Sequence, residues 1–150
     1  MSAKTSTIQS ISLERVLAAA AAGVCGVLTV LVWQSIGREQ GLWPLPAFYF
    51  LEMAAASLVG VWGIWQANAA GSRAAWAAAG VIFGFALLAS FSVGFFYLPV
   101  AGLLGLAALW QDRHTWRRLP AHIGIALLAA AAQAALILVL IRVLYPDAQF

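Results

Sequence analysis

Apolar and polar positions fall in long blocks along this chain, not in the short periods of an amphipathic helix or a half-buried strand. The polar lead "MSAKTSTIQSISL" passes into an apolar run that reaches Ile36. "GREQGLWPLPA" interrupts it, with Gly37, Gly41, Pro44 and Pro46 as breakers. A second apolar run ends at Gln66 and is followed by the polar turn "ANAAGSR". Ala74 to Gln111 then carry no charge at all, and the loop "DRHTWRRLP" separates them from a last run that Pro146 stops. Each run is long enough to cross a bilayer core of about 30 Å. Backbone groups in lipid must be satisfied within their own segment, so the runs are predicted to be helices. A closed barrel would require short alternating segments, which the pattern lacks.

The uncharged run from Ala74 to Gln111 is too long for one span. As a single helix it would extend about 57 Å. Ser90, Ser92, Gly94 and Pro99 cluster near its middle. Pro99 removes a donor and disfavours helical geometry at Leu98. Those signals fit either a kink or a turn, and charge separates the two. With two helices there are five spans, and one side carries Lys4, Arg15, Arg73, Arg113, Arg117 and Arg118 against only Arg38 and Arg142 on the other. With one kinked helix there are four spans and the basic residues divide evenly. Cytoplasmic loops normally hold the excess of Lys and Arg, which favours five. Aromatic residues agree. Five spans place Trp33, Trp43, Tyr49, Tyr97 and Tyr145 at the outer interface and Trp65, Trp76, Trp110 and Trp116 at the inner one.

The expected fold is therefore an all-α integral membrane bundle, one domain over residues 1–150. Its five transmembrane helices are placed at about 13–36, 48–66, 74–93, 95–111 and 121–144. The N-terminus is expected in the cytoplasm and the C-terminus outside. Four spans, with 74–111 as one kinked helix, is the alternative. The fourth span is short, at about 25 Å, so local thinning of the bilayer or a sunken outer turn is expected. The expected location is a bacterial cytoplasmic membrane.

Composition sharpens the class. Hydrophobic residues make up 64% and charged residues 9%, where a soluble domain carries about 25% charged. The net charge of +3 sits beside the spans, so anionic lipid explains it better than nucleic acid. Cys25 stands alone, which excludes an internal disulfide or a cysteine zinc site. The first apolar stretch, Val16 to Ile36, exceeds a typical signal core and reads as a retained helix.

Few residues invite chemistry. Glu52 is the one acid within an apolar span. An intramembrane carboxylate is a candidate for proton or cation coupling, but Glu52 lies about one turn inside its helix, where headgroup water, Arg38 or a hydroxyl can serve it. Gln133 lies deep in the last helix and is expected to bond across a helix interface, to Ser57, Ser90 or a backbone carbonyl. His114 and His122 sit at the cytoplasmic end beside arginines. His122 as a single axial pigment ligand is a further possibility. Arg113, Trp116, Arg117 and Arg118 form a basic loop suited to lipid headgroups or a partner subunit. Gly80 and Gly84, with Ala126, Ala130 and Ala134, supply small surfaces for close helix packing, as do Gly60 and Gly63.

The pattern contains no catalytic triad, phosphate loop or metal-spaced cluster. No catalytic residue, cofactor or metal is expected, and the chain is read as a non-enzyme. Its expected role is an accessory or scaffold subunit of a larger membrane complex, a bioenergetic one being one setting. The expected partners are the lipid bilayer and other membrane subunits or a second copy, without nucleic acid. The alternatives are a small carrier or channel using Glu52 and a pigment- or haem-binding protein using His122.

Overall fold

Ser12 starts the first helix by accepting through its carbonyl from the amides of Arg15 and Val16, and α1 then runs Leu13–Glu39 without a break. The computed structural model describes residues 12–39, 45–90, 93–113 and 115–144, without the side chains of 36–39, 45 and 46. Lys4, Trp43, His114, Tyr145 and the Arg38 side chain, all used in the expectations above, lie outside the described residues. The remaining helices are α2 (Leu45–Gln66), α3 (Ala69–Leu88), α4 (Leu98–Gln111) and α5 (Leu119–Leu144). Short 3-10 turns, Gly94–Tyr97 and Trp116–Arg118, lead into α4 and α5. The described residues contain no strand. Five helical segments are long and apolar enough to cross a membrane.

α3 runs 69–88, about five residues earlier at each end than the predicted 74–93. Local chemistry accounts for both shifts. Asn68 caps the helix by accepting the Gly71 amide at 2.7 Å, so the polar stretch read as a turn begins the helix. At the other end the chain leaves the helix at Ala89, and the Gly94 amide closes onto the Ala89 carbonyl at 2.8 Å. A Cβ at Gly94 would lie 2.6 Å from Ala89, so the bend requires glycine. The long uncharged run is thus two helices. The second is lengthened by its 3-10 turn: about 8 Å from Gly94–Tyr97 added to about 21 Å of α4 gives about 29 Å, where the predicted span is about 25 Å.

α1 to α4 form a ring in which each helix packs on its chain neighbours and α1 closes against α4. α5 stands outside this ring and packs along α3. One core layer joins Ala18, Ile64, Ala75, Ala107 and Ala108. The other centres on Cys25, Met53, Ile82, Phe85, Tyr97 and Leu104. Each layer draws on the start of one helix and the end of the next, which is the signature of antiparallel neighbours.

Tyr97 departs from its expected interfacial place. It is fully buried, edge-on to Phe85 with centroids 5.5 Å apart, and its hydroxyl lies 3.2 Å from Thr29 Oγ1. The 3-10 turn directs the ring into the bundle, where Thr29 meets its polar tip.

Close approach depends on missing Cβ atoms. A side chain at Gly63 would strike the Gly71 carbonyl, and one at Gly80 the Ala126 carbonyl. At Gly84 the added carbon would lie 2.6 Å from the Ala130 carbonyl oxygen. The α3–α5 contact is therefore backbone against backbone. Ala134 follows on the same helix and is half-buried.

Candidate functional site

α5 buries three side chains, His122, Gln133 and Ile137. With Ala126 and Ala130 they form one stripe toward α3. Two of the three are polar, and each is held by a carboxylate.

The first carboxylate is Asp112, which the sequence places in a charged loop. It forms the C-cap of α4 and is only 7% exposed. Ser72 Oγ shares its proton between Asp112 Oδ1 and Oδ2 at 2.9 Å each. Trp76 Nε1 donates to Oδ2 at 2.9 Å. His122 Nδ1 stands 2.5 Å from Oδ2. An ionised carboxylate only accepts, which assigns the Nδ1 proton to the imidazole. Ser72 and Trp76 come from α3, four residues apart and so on one face. Asp112 thus ties the first turns of α3 and α5 to the end of α4. His122 is 4% exposed. It is a buried donor rather than the expected interfacial ring.

This trio is not wired as a nucleophilic triad. There the imidazole stands between hydroxyl and carboxylate and takes the hydroxyl proton. Here the carboxylate stands in the middle, and Ser72 donates straight to it. Ser72 Oγ and His122 Nδ1 are 3.5 Å apart, and both protons point at Asp112. The arrangement fastens helices and presents a negative charge to a small polar cavity.

The second carboxylate is Glu52. Gln133 Nε2 donates to its Oε2 at 2.8 Å. The expectation of a hydroxyl or backbone partner for Gln133 is corrected, because α2 flanks the α3–α5 seam and brings Glu52 within reach. The two singular polar residues of the spans are each other's partner.

The basic loop lies at the Asp112 end. Arg113 stacks over Trp110 at 4.9 Å. Trp116, Arg117 and Arg118 are exposed on the 3-10 turn, and Arg118 also lines the cavity beside Asp112. Among the described residues no group of three or more His, Cys, Asp or Glu side chains is placed to hold a metal.

Sequence reasoning missed Ser72, Trp76 and Asp112. A faint signal exists in the four-residue spacing of two hydrogen-bonding side chains on an apolar helix, but nothing local links them to Asp112. No family model, curated protein or solved structure matches the chain, so its function is argued from its own geometry.

Proposed function

We propose that this chain spans the membrane five times, N-terminus cytoplasmic and C-terminus outside, and serves as a non-catalytic accessory or scaffold subunit of a larger membrane assembly. Charge placement supports the orientation. Arg15, Arg73, Arg113, Arg117 and Arg118 gather at the end of the bundle that holds Asp112, while Arg142 lies at the other end. Exposed Trp65, Trp110 and Trp116 mark the same end, at the depth such rings prefer.

One observation carries the subunit role. Gly23 and Gly26 of α1 face open space, with nothing within 4 Å of an added Cβ. They lie among exposed Val24, Val27 and Val30. Glycine in a helix interior costs about 1 kcal/mol relative to alanine. That cost has no return within this chain and is offset when another helix packs closely there. Gly80 and Gly84 do not serve this purpose, because Ala126 and Ala130 already cover them.

The test is the size of the native assembly extracted in mild detergent, with Gly23→Leu and Gly26→Leu beside the wild type. Both variants should release the chain from its larger assembly while its own thermal midpoint stays the same or rises. A wild-type chain that leaves its native membrane as a bare monomer sinks this reading.

The carrier reading draws on a groove of about 340 Å³ lined by Phe48, Leu51, Glu52, Leu136 and others, which reaches the Glu52–Gln133 pair. Ion or substrate flux in liposomes holding only this chain, abolished by Glu52→Gln, would establish it instead. The cavity beside His122 is about 160 Å³, below the roughly 300–1,000 Å³ of pockets that take drug-sized ligands. That size weighs against a macrocycle on His122.

A further inference from the structure

Where the α2–α3 turn meets the α4–α5 connection, the cavity of about 160 Å³ is lined by Asn68, Ser72, Gln111, Asp112, Arg118 and His122, among others. Its hydrogen-bonding groups do not balance internally. Among the described residues, Asp112 Oδ2 receives Trp76 and His122 and shares the Ser72 proton, while Oδ1 receives only the other share of that proton. A carboxylate oxygen has room for two donors. Gln111 Oε1 is buried and accepts from none of the described residues. Buried acceptors are nearly always matched, so this one calls for a donor. A guanidinium, exposed Arg118, stands at the rim. The cavity therefore presents spare acceptors and a negative charge inside, and a cation at its mouth.

A ligand complementary to that order carries an N–H-bearing cation a few atoms from an anion. Space agrees. A volume of about 160 Å³ is about five times the share of one water in the liquid, enough for an ethanolamine fragment of about four heavy atoms. We propose that this cavity takes the primary ammonium of an aminophospholipid headgroup. The ammonium donates to Asp112 Oδ1 and to Gln111 Oε1, which the half-buried Gln111 side chain turns toward the cavity to meet it, and the phosphate pairs with Arg118. The proposal rests on the membrane-spanning reading, which puts this end of the bundle at headgroup depth. The same chemistry exists in free phosphoethanolamine, so the experiment separates the two sources.

The full chain in mild detergent is offered phosphatidylethanolamine and phosphatidylcholine of matched acyl chains, and bound lipid is read by native mass spectrometry. Choline is the discriminating control, because its quaternary ammonium has no N–H to donate. Ethanolamine lipid should be retained about tenfold over choline lipid, the effect of one or two hydrogen bonds to a charged group. Gln111→Leu should lower that ratio several-fold, Asp112 Oδ1 remaining as the other acceptor, with the thermal midpoint unchanged, since Oε1 bonds none of the described residues. Arg118→Ala should weaken both lipids together, as it meets the phosphate common to them.

Equal retention of the two lipids by the wild type overturns the proposal, and so does a preference that Gln111→Leu leaves undiminished. Soluble phosphoethanolamine that displaces the bound lipid supports the headgroup contact. Binding of the soluble compound with no lipid retained makes the free amine the ligand and overturns the lipid assignment. Resistance of the chain to alkaline extraction from its native membrane is measured on the same preparation. It reports on the spanning reading separately.

Discussion

Gln133 Nε2 donates to Glu52 Oε2 at 2.8 Å, joining the middle of α5 to the first half of α2. His122, three turns earlier on the same face, is held by Asp112. The two fastenings are about 17 Å apart along α5. Between them Gly80 and Gly84 admit Ala126 and Ala130. α5 lies outside the ring of the other four helices, so these polar contacts and the glycine seam fix its register against α3.

Gln133→Leu leaves the Glu52 carboxylate without its donor and should destabilise the protein by about 1–2 kcal/mol. Glu52→Gln keeps an acceptor for Gln133 and should cost less than about 1 kcal/mol. A double-mutant cycle of Gln133→Leu with Glu52→Leu, each of which removes the bond, on thermal or denaturant unfolding in detergent should give a coupling of roughly 0.6–1.7 kcal/mol. A coupling near zero would mean that the pair does not hold α5.

Gly80→Leu drives a side chain into the Ala126 backbone carbonyl, a contact that no rotamer relieves. It should cost at least about 3 kcal/mol or prevent α5 from docking. Gly124 on the same helix pair has nothing within 4 Å of its Cβ position. Gly124→Ala should be neutral or stabilise by about 0.5–1 kcal/mol. Thermal midpoints of the two variants beside the wild type check the contrast.

Asp112→Ala removes the common acceptor of Ser72, Trp76 and His122. Several donors are then left in a largely buried site, and the loss should reach about 3 kcal/mol. Trp76 fluorescence should shift as its indole N–H loses the carboxylate. Ser72→Ala deletes one donor together with its own need for a partner and should cost about 1 kcal/mol. Equal effects of the two changes would show that the carboxylate is not the hub.

Reporter fusions test the topology. With five spans a cytoplasmic reporter should be active at the N-terminus and in the loop at Thr115, and a periplasmic-type reporter at the C-terminus. Both termini on the same side would rule out five spans.

Apolar block length placed the helical runs, because the need to satisfy backbone groups in lipid is local and acts on each run independently, and the count of basic residues divided the longest run in two. An irregularity before Pro99 was legible because proline and glycine act on the chain where they stand, but whether it was a kink or a turn was not, since a transmembrane helix tolerates both residues. The shift of α3 was only half legible, since Asn68 serves equally as a turn residue or a cap until the helix beyond it is seen. The facing of each helix was not legible. The spans are apolar nearly all round, so no stripe marks the inner side, and Tyr97 could be assigned to an interface or a core with equal ease. Polar pairing was hidden more deeply still. Ser72 and Asp112 are 40 positions apart, Glu52 and Gln133 81, and each looks unpartnered along the chain. Only the packing of the helices, antiparallel where Gly63 meets Gly71 and parallel where Gly80 and Gly84 meet Ala126 and Ala130, carries those side chains together. Their partners are a property of which faces meet, and that was decided by the tertiary structure.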